Sequence, residues 1–172
     1  MEFASVLKNR RSIRSYTGAP LSDEQLNAVL AAAEQAPVAM GQYQNYHLTV
    51  VQDPAVLDAI EEACATVFHR HGSKMLYGAP TLVIVSATGN GNADYASAGI
   101  IAHTMALEAV NQQVGYCYIW GAIAGLDQSP ATLAKLNLPA GFTPACAVVL
   151  GQSDDTYAPR DVDQTRIGVT KL

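Results

Sequence analysis

The sequence predicts an α+β fold, a central sheet of four or five strands with helices on both faces. Three observations carry that reading. Short β-branched or aromatic runs alternate irregularly with stretches whose apolar residues recur at helical spacing. One such stretch, from about Tyr95 to Gln113, is apolar nearly all round and belongs at the centre of a protein or an oligomer. Finally, 49% of the 172 residues are apolar and only 15% charged, enough for a substantial core, and the Ala-rich composition suits helices in close contact.

The elements follow in order. A short helix is expected around Glu2 to Lys8, with Phe3, Val6 and Leu7 on one face. A turn at Gly18-Ala19-Pro20 precedes Ser22-Asp23-Glu24-Gln25, which has the form of a capping box. Leu26, Val29, Leu30 and Ala33 continue that helix until Pro37 ends it. His47 to Val51 reads as a strand, and Pro54 opens the next helix, which carries Val56, Leu57, Ile60 and Val67. Thr81-Leu82-Val83-Ile84-Val85 reads as a strand buried on both faces. After the long helix come a strand at Val114 to Ile119, a short helix over Ala131 to Leu136 capped by Ser129, and a last central strand from Pro144 to Leu150. From Ser153 onward the chain is polar and without periodicity, apart from Ile167 and Val169. No linker or repeat divides it, so 1–172 is expected to be a single domain.

Composition narrows the function. A net charge of −5 and the lack of interleaved basic and aromatic residues argue against nucleic acid. No run of about 20 apolar residues suggests a membrane span, and the start lacks the apolar run of a signal peptide, so a cytoplasmic protein is expected. Cys64, Cys117 and Cys146 are odd in number and far apart, which reads as buried thiols in a reducing compartment. His47, His69, His71 and His103 form no ligand pattern, so no metal is expected, and His103 reads as a satisfied core or interface residue.

Against that acidic background, four of the ten Lys and Arg residues lie in the first fourteen positions, three of them in Arg10-Arg11-Ser12-Ile13-Arg14. Guanidinium forks suit phosphate oxygens, and Ser12 adds a hydroxyl donor. Alone, such a knot is more simply a solvated basic helix end. Its order with the downstream segments changes the balance. Arg10-Arg11-Ser12-Ile13-Arg14-Ser15-Tyr16, Ala33-Glu34-Gln35-Ala36-Pro37, Gly78-Ala79-Pro80 with the strand after it, Asp94 through Gly121, and Leu138 through Gly151 together resemble the FMN-dependent nitroreductase family, in the order and spacing of its motifs.

The resemblance implies a nitroreductase-like fold with a mostly antiparallel sheet in an intertwined homodimer. It implies FMN in a cleft between subunits, and ping-pong transfer of reducing equivalents from NADH or NADPH to a nitroaromatic, a quinone or a similar acceptor. Carried over by position, Arg10, Ser12 and Arg14 would contact the phosphate and ribityl chain, and the backbone of Arg11 the pyrimidine end of the ring. Arg160 and Arg166 compete for one further phosphate contact, with a slight preference for Arg166. Trp120 and Gly121 occupy the place that supplies an amide to flavin N5, and Lys74 the place of a polar contact to O2. A lone tryptophan is otherwise a core aromatic, and Lys74 an exposed loop lysine. The stretch Val38 to Tyr46 departs from the family, lacking its serines and its Gln-Pro-Trp. Ribityl contacts would then come from backbone atoms of Val38 and Met40 and an amide from Gln44, with Met40 lining the acceptor pocket or filling core space. No side chain is required as a general acid, so no catalytic residue is assigned. The altered loop keeps open a flavin-binding, flavin-sensing or flavin-fragmenting protein without nitroreductase turnover. A helical dimer that binds another phosphorylated small molecule is a third reading.

Overall fold

A computed structural model describes residues 1–163 and 165–172. Four strands form one antiparallel sheet in the order β1-β2-β4-β3: β1 Tyr46–Val51, β2 Thr81–Ala87, β3 Gly115–Tyr118 and β4 Thr143–Gly151. The helices are α1 Phe3–Asn9, α2 Asp23–Glu34, α3 Pro54–Val67, α4 Asn92–Asn111, α5 Gly121–Gln128 and α6 Pro130–Ala134. The sheet has the smaller of the two expected strand counts, and helices cover both of its faces, as the periodicity predicts.

Each face has its own reason. In β2 every residue is buried. Val83 and Val85 join α2 and α4 in one cluster, while Leu82 and Ile84 join the side chains of α3 and α5 in the other. The helix α4 presents Ala98, Ala102, Ala106 and Ala109 to the sheet, and these small side chains let its backbone approach closely. The cap of α2 forms as the sequence reads: Ser22 Oγ accepts from the Gln25 amide at 3.1 Å, and Gln25 Oε1 accepts from the Ser22 amide at 3.1 Å. Asp53 caps α3 by accepting from the Ala55 amide at 2.8 Å, with Pro54 in the first turn.

One helix was not legible. The segment Gly-Ala-Ile-Ala-Gly-Leu-Asp-Gln, residues 121–128, is short and carries two glycines, which disfavour an isolated helix. Packing overrides propensity. A Cβ on Gly121 would stand 2.9 Å from Cys64 Sγ, and one on Gly125 only 2.6 Å from the Cys64 backbone nitrogen. The two glycines, one turn apart, face α3 and allow the helices to touch backbone to backbone. The three cysteines are free and buried, as expected.

Candidate functional site

The basic segment is held open along the outer edge of the sheet, beside β3. Ile13 is buried and its amide donates to the carbonyl oxygen of Tyr116 at 2.8 Å. Tyr16 lies over Gly115 and Gly151, which pair across β3 and β4. A Cβ on either glycine would come within 3.0 Å of the Tyr16 ring. The Tyr16 hydroxyl donates back to the Ile13 carbonyl at 3.0 Å, and Ser153 Oγ donates to the Ser15 carbonyl at 2.7 Å. With Ile13 and Tyr16 directed inward, the segment's polar residues stay at the surface: Arg10, Arg11 and Ser12 are half-buried and Arg14 is exposed. Burial drives the Tyr16 phenol well above its ordinary range, so it stays neutral beside the arginines.

The chain's other end returns to the same place. Tyr157 donates to the Val114 carbonyl at 2.8 Å, and the Arg160 amide donates to the Lys8 carbonyl at 3.2 Å. Arg160 is half-buried, and its Nε is covered from solvent with no hydrogen-bond partner. Burial, then the charges of Arg10, Arg166 and Arg11, lowers the Arg160 pKa from its usual value. Arg160 and Arg166 thus both stand close enough to the N-terminal pair for their charges to interact. Among the described residues no Lys or Arg is ion-paired with a carboxylate, the one histidine–carboxylate contact being His71 with Glu62 at 3.3 Å on the surface, so no carboxylate compensates this cluster. Converging cations with a covered, unpaired donor are chemically suited to an anion.

His103 stands beside this group. It is exposed on α4 rather than satisfied in the core, because α4 buries only the side facing the sheet. Partial burial, then the Arg10 charge, lowers the His103 pKa from its ordinary value. On the other side of the segment Cys117 lies close to Arg14 and Ser12. Burial raises the thiol's pKa, and the Arg14 charge and Ser12 hydroxyl pull it partly back.

A second group surrounds the turn from β3 into α5. Trp120 is 59% exposed, not the core aromatic a lone tryptophan usually is. Its carbonyl accepts from Ile123 and Ala124, whereas no hydrogen bond among the described residues engages the amides of Trp120, Gly121 or Ala122. These are the unsatisfied donors of a helix start. The glycine at 121 is accounted for by Cys64 and Phe68, which fill the space of its missing side chain at 2.9 and 3.3 Å. Phe68 is a residue the sequence reading missed, and only its contact with Gly121 and Trp120 reveals it.

A third group lies apart from the first two. The Ala39 amide donates to Ser97 Oγ at 3.0 Å, which ties the loop after α2 to the start of α4. Val38 is half-buried, Gln44 is exposed, and Met40 is 90% exposed with a left-handed φ of 55°. Met40 therefore fills no core space within the chain. Lys74 lies over Gly78 and lines a cavity of about 280 Å³ that Gly18, Asp58 and Glu61 also border.

The chain is similar to known proteins over most of its length. The family model described as the nitroreductase family matches residues 7–72, which span both the basic segment and Phe68. A curated protein of Methanothermobacter thermautotrophicus, provisionally named NADH dehydrogenase/NAD(P)H nitroreductase, is 26% identical over 99% of this chain and 88% of its own length. The solved structure of a nitroreductase with bound FMN from Bacteroides fragilis superposes with a TM-score of 0.84 at 26% identity, covering 99% of this chain and 100% of that one. Another with bound FMN, from Desulfitobacterium hafniense, gives 0.85 at 24% identity over 99% of each chain. The antiparallel sheet, the motif that edges it and these likenesses agree: the chain has the nitroreductase fold and is similar to that family.

Proposed function

We propose that this protein is an FMN-dependent oxidoreductase that passes reducing equivalents from NADH or NADPH to a nitroaromatic, quinone or similar acceptor in ping-pong fashion. One observation carries the reading: Arg160, with a covered and unpaired Nε, stands among Arg10, Arg11 and Arg166 without a carboxylate. A phosphate monoester, with close to two negative charges and three acceptor oxygens, fits such a set. The names of the relatives supply the rest: FMN is bound in the Bacteroides fragilis and Desulfitobacterium hafniense nitroreductases, and NAD(P)H appears in the name of the Methanothermobacter protein.

Each group of residues then has a task. Arg10, Ser12 and Arg14, joined by Arg160 and Arg166, hold the phosphate and the ribityl chain, and the backbone of Arg11 borders the ring. The unengaged amides of Trp120 and Gly121 donate to the edge of the ring where negative charge develops. Lys74 adds a cation toward the pyrimidine end. FMN held there would supply hydride uptake from the nicotinamide and its delivery to the acceptor.

A site shared between two subunits would let Val38, Met40 and Gln44 serve the arginines of the partner subunit. The surface agrees with a homodimer. Tyr95 and Ile100 on α4 are 51% and 42% exposed, and Phe3 on α1 is 66% exposed, leaving apolar side chains that a partner subunit would cover. We read the protein as a cytoplasmic homodimer of single-domain subunits, with Met40 closing the partner's site.

Trp120 is the only tryptophan, so its emission reports on the site directly. Addition of FMN to flavin-free protein should quench that emission at one equivalent per chain. The yellow protein should then bleach under anaerobic conditions with NADH or NADPH and recover its colour with a quinone. A chain that neither quenches nor takes up FMN refutes the reading. One that binds FMN but never bleaches is a flavin-binding protein without turnover, and the departure of the Val38 to Tyr46 loop from the family would then be the place to look.

A further inference from the structure

The cation of Lys74 is carried by a reversal of the chain between α3 and β2 that local preference does not favour. Tyr77 stands in the left-handed region at φ 60°, followed by Gly78 at φ 76°. A tyrosine in that region is strained and persists only where its surroundings hold it. The reversal closes through two turns, from the Tyr77 amide to the Lys74 carbonyl and from the Ala79 amide to the Leu76 carbonyl, each at 3.1 Å. Gly78 lets the lysine fold over it: Cδ and Nζ of Lys74 lie 3.9 Å from where its Cβ would be. The hold comes from α3. Glu61 reaches across from that helix, and its Oε1 accepts from the Leu76 amide at 2.7 Å. Leu76 is 2% exposed, so its amide gains no access to water unless the reversal moves. Pro80, next to buried Ala79, fixes the other end by packing on Gly151. Lys74, Glu61 and Asp58 border one cavity, yet among the described residues neither carboxylate is ion-paired with Lys74. Glu61 is thus engaged with the backbone of the loop and leaves the cation free.

We propose that Glu61 is a positioning residue for Lys74: its carboxylate pins the reversal to α3 at Leu76 and so fixes where the Lys74 cation stands. The inference rests on the flavin-dependent reading above, in which Lys74 faces the pyrimidine end of the ring, and adds to it the residue that sets this cation's place. Loss of the acceptor leaves the Leu76 amide buried without a partner. The strained turn at Tyr77 then opens to hydrate that amide, and Lys74, two residues before Leu76, moves with it. A cation displaced from the ring stabilises the negative charge of the reduced flavin less.

The test uses the FMN-loaded protein and its variants Glu61→Ala, Glu61→Gln, Lys74→Met and the double variant Glu61→Ala with Lys74→Met. The flavin midpoint potential is read by equilibration with a reference dye. Lys74→Met should move the balance of reduced to oxidised flavin roughly 3- to 10-fold toward oxidised, or about 15–30 mV for two electrons. Glu61→Ala should lower the potential by a similar amount and add nothing in the Lys74→Met background. Glu61→Gln still offers an oxygen to the Leu76 amide and removes a negative charge near Lys74, so its potential should stay or rise. Three results overturn the proposal: an unchanged potential in Lys74→Met, a potential in Glu61→Ala that is unchanged or rises, or a fall in Glu61→Ala of equal size with and without Lys74. The second of these would show the carboxylate acting through its charge alone or not at all. The flavin-free chain gives an independent readout. Exchange of the Leu76 amide should be roughly 10-fold faster or more in Glu61→Ala and near the parent rate in Glu61→Gln; equal exchange in the parent and Glu61→Ala overturns the anchor while leaving the flavin reading intact. If the protein takes up no FMN, the flavin reading fails by itself, and these exchange rates decide whether Glu61 holds the loop.

Discussion

Replacing Arg160 by Met separates a ligand-holding arginine from a structural one, because the two roles predict effects of opposite sign. Met keeps the aliphatic stem and removes the guanidinium. In the flavin-free chain Arg160 contributes like-charge repulsion with Arg10, Arg166 and Arg11 and a covered Nε without a partner. An unsatisfied buried donor costs about 1–3 kcal/mol, and the partial exposure of this side chain argues for the lower end of that range. The flavin-free variant should therefore melt at the same temperature as the parent or up to roughly 2–4 °C higher, for a change near 1 kcal/mol in a chain of this size. Affinity for FMN should move the other way. Loss of one charged hydrogen bond costs about 1.5–3 kcal/mol, or roughly 10- to 150-fold in Kd. Calorimetric melting and Trp120 quenching by FMN measure the two halves. An unchanged FMN Kd, or a flavin-free variant that melts several degrees lower, would refute the reasoning, because Arg160 would then be stabilising the tail rather than awaiting an anion.

Three further outcomes follow from the same geometry. Gly125→Ala should destabilise the protein by roughly 1–3 kcal/mol in denaturant titration, because the new methyl would meet the backbone of Cys64 and Ala63 at 2.6 to 3.0 Å and no flexible side chain can give way; full stability would show that α3 and α5 are not in such contact. Met40→Gly relieves a left-handed residue and should raise Tm by about 1 °C or leave it unchanged, yet weaken dimerisation in sedimentation at low concentration if Met40 is covered by a partner; unchanged association would remove it from the interface. His103 should titrate below its ordinary value of 6.5 in NMR spectra of the flavin-free protein, and rise when inorganic phosphate occupies the arginines. The sign is fixed by linkage. The folded chain binds this proton more weakly than the unfolded one, so the imidazole's contribution to stability is complete above about pH 6.5 and is lost as pH falls below it. A value at or above 6.5 without phosphate would contradict the nearness of Arg10.

Most of the fold was written in local chemistry. Ser22 with Gln25 before an apolar helical repeat marks a capping box, Pro54 suits a first helical turn, and an apolar run rich in β-branched residues such as Leu82 to Val85 has few places to go but a sheet buried on both faces. The order of its motifs also singled out the arginines, Trp120 and Gly121 as candidates. Tertiary structure alone decided the rest. That Arg160 stands near the N-terminal arginines depends on the tail folding back to Lys8 across more than 150 residues of chain, and no local pattern encodes that return. That Gly121 is spoken for by Cys64 and Phe68, and that a Gly-rich stretch becomes α5 at all, depends on α3 lying against it. Local propensity sets which elements form, because it acts over a few bonds. Which distant side chains share a site, and whether Trp120 faces solvent or core, is set by how the elements stack.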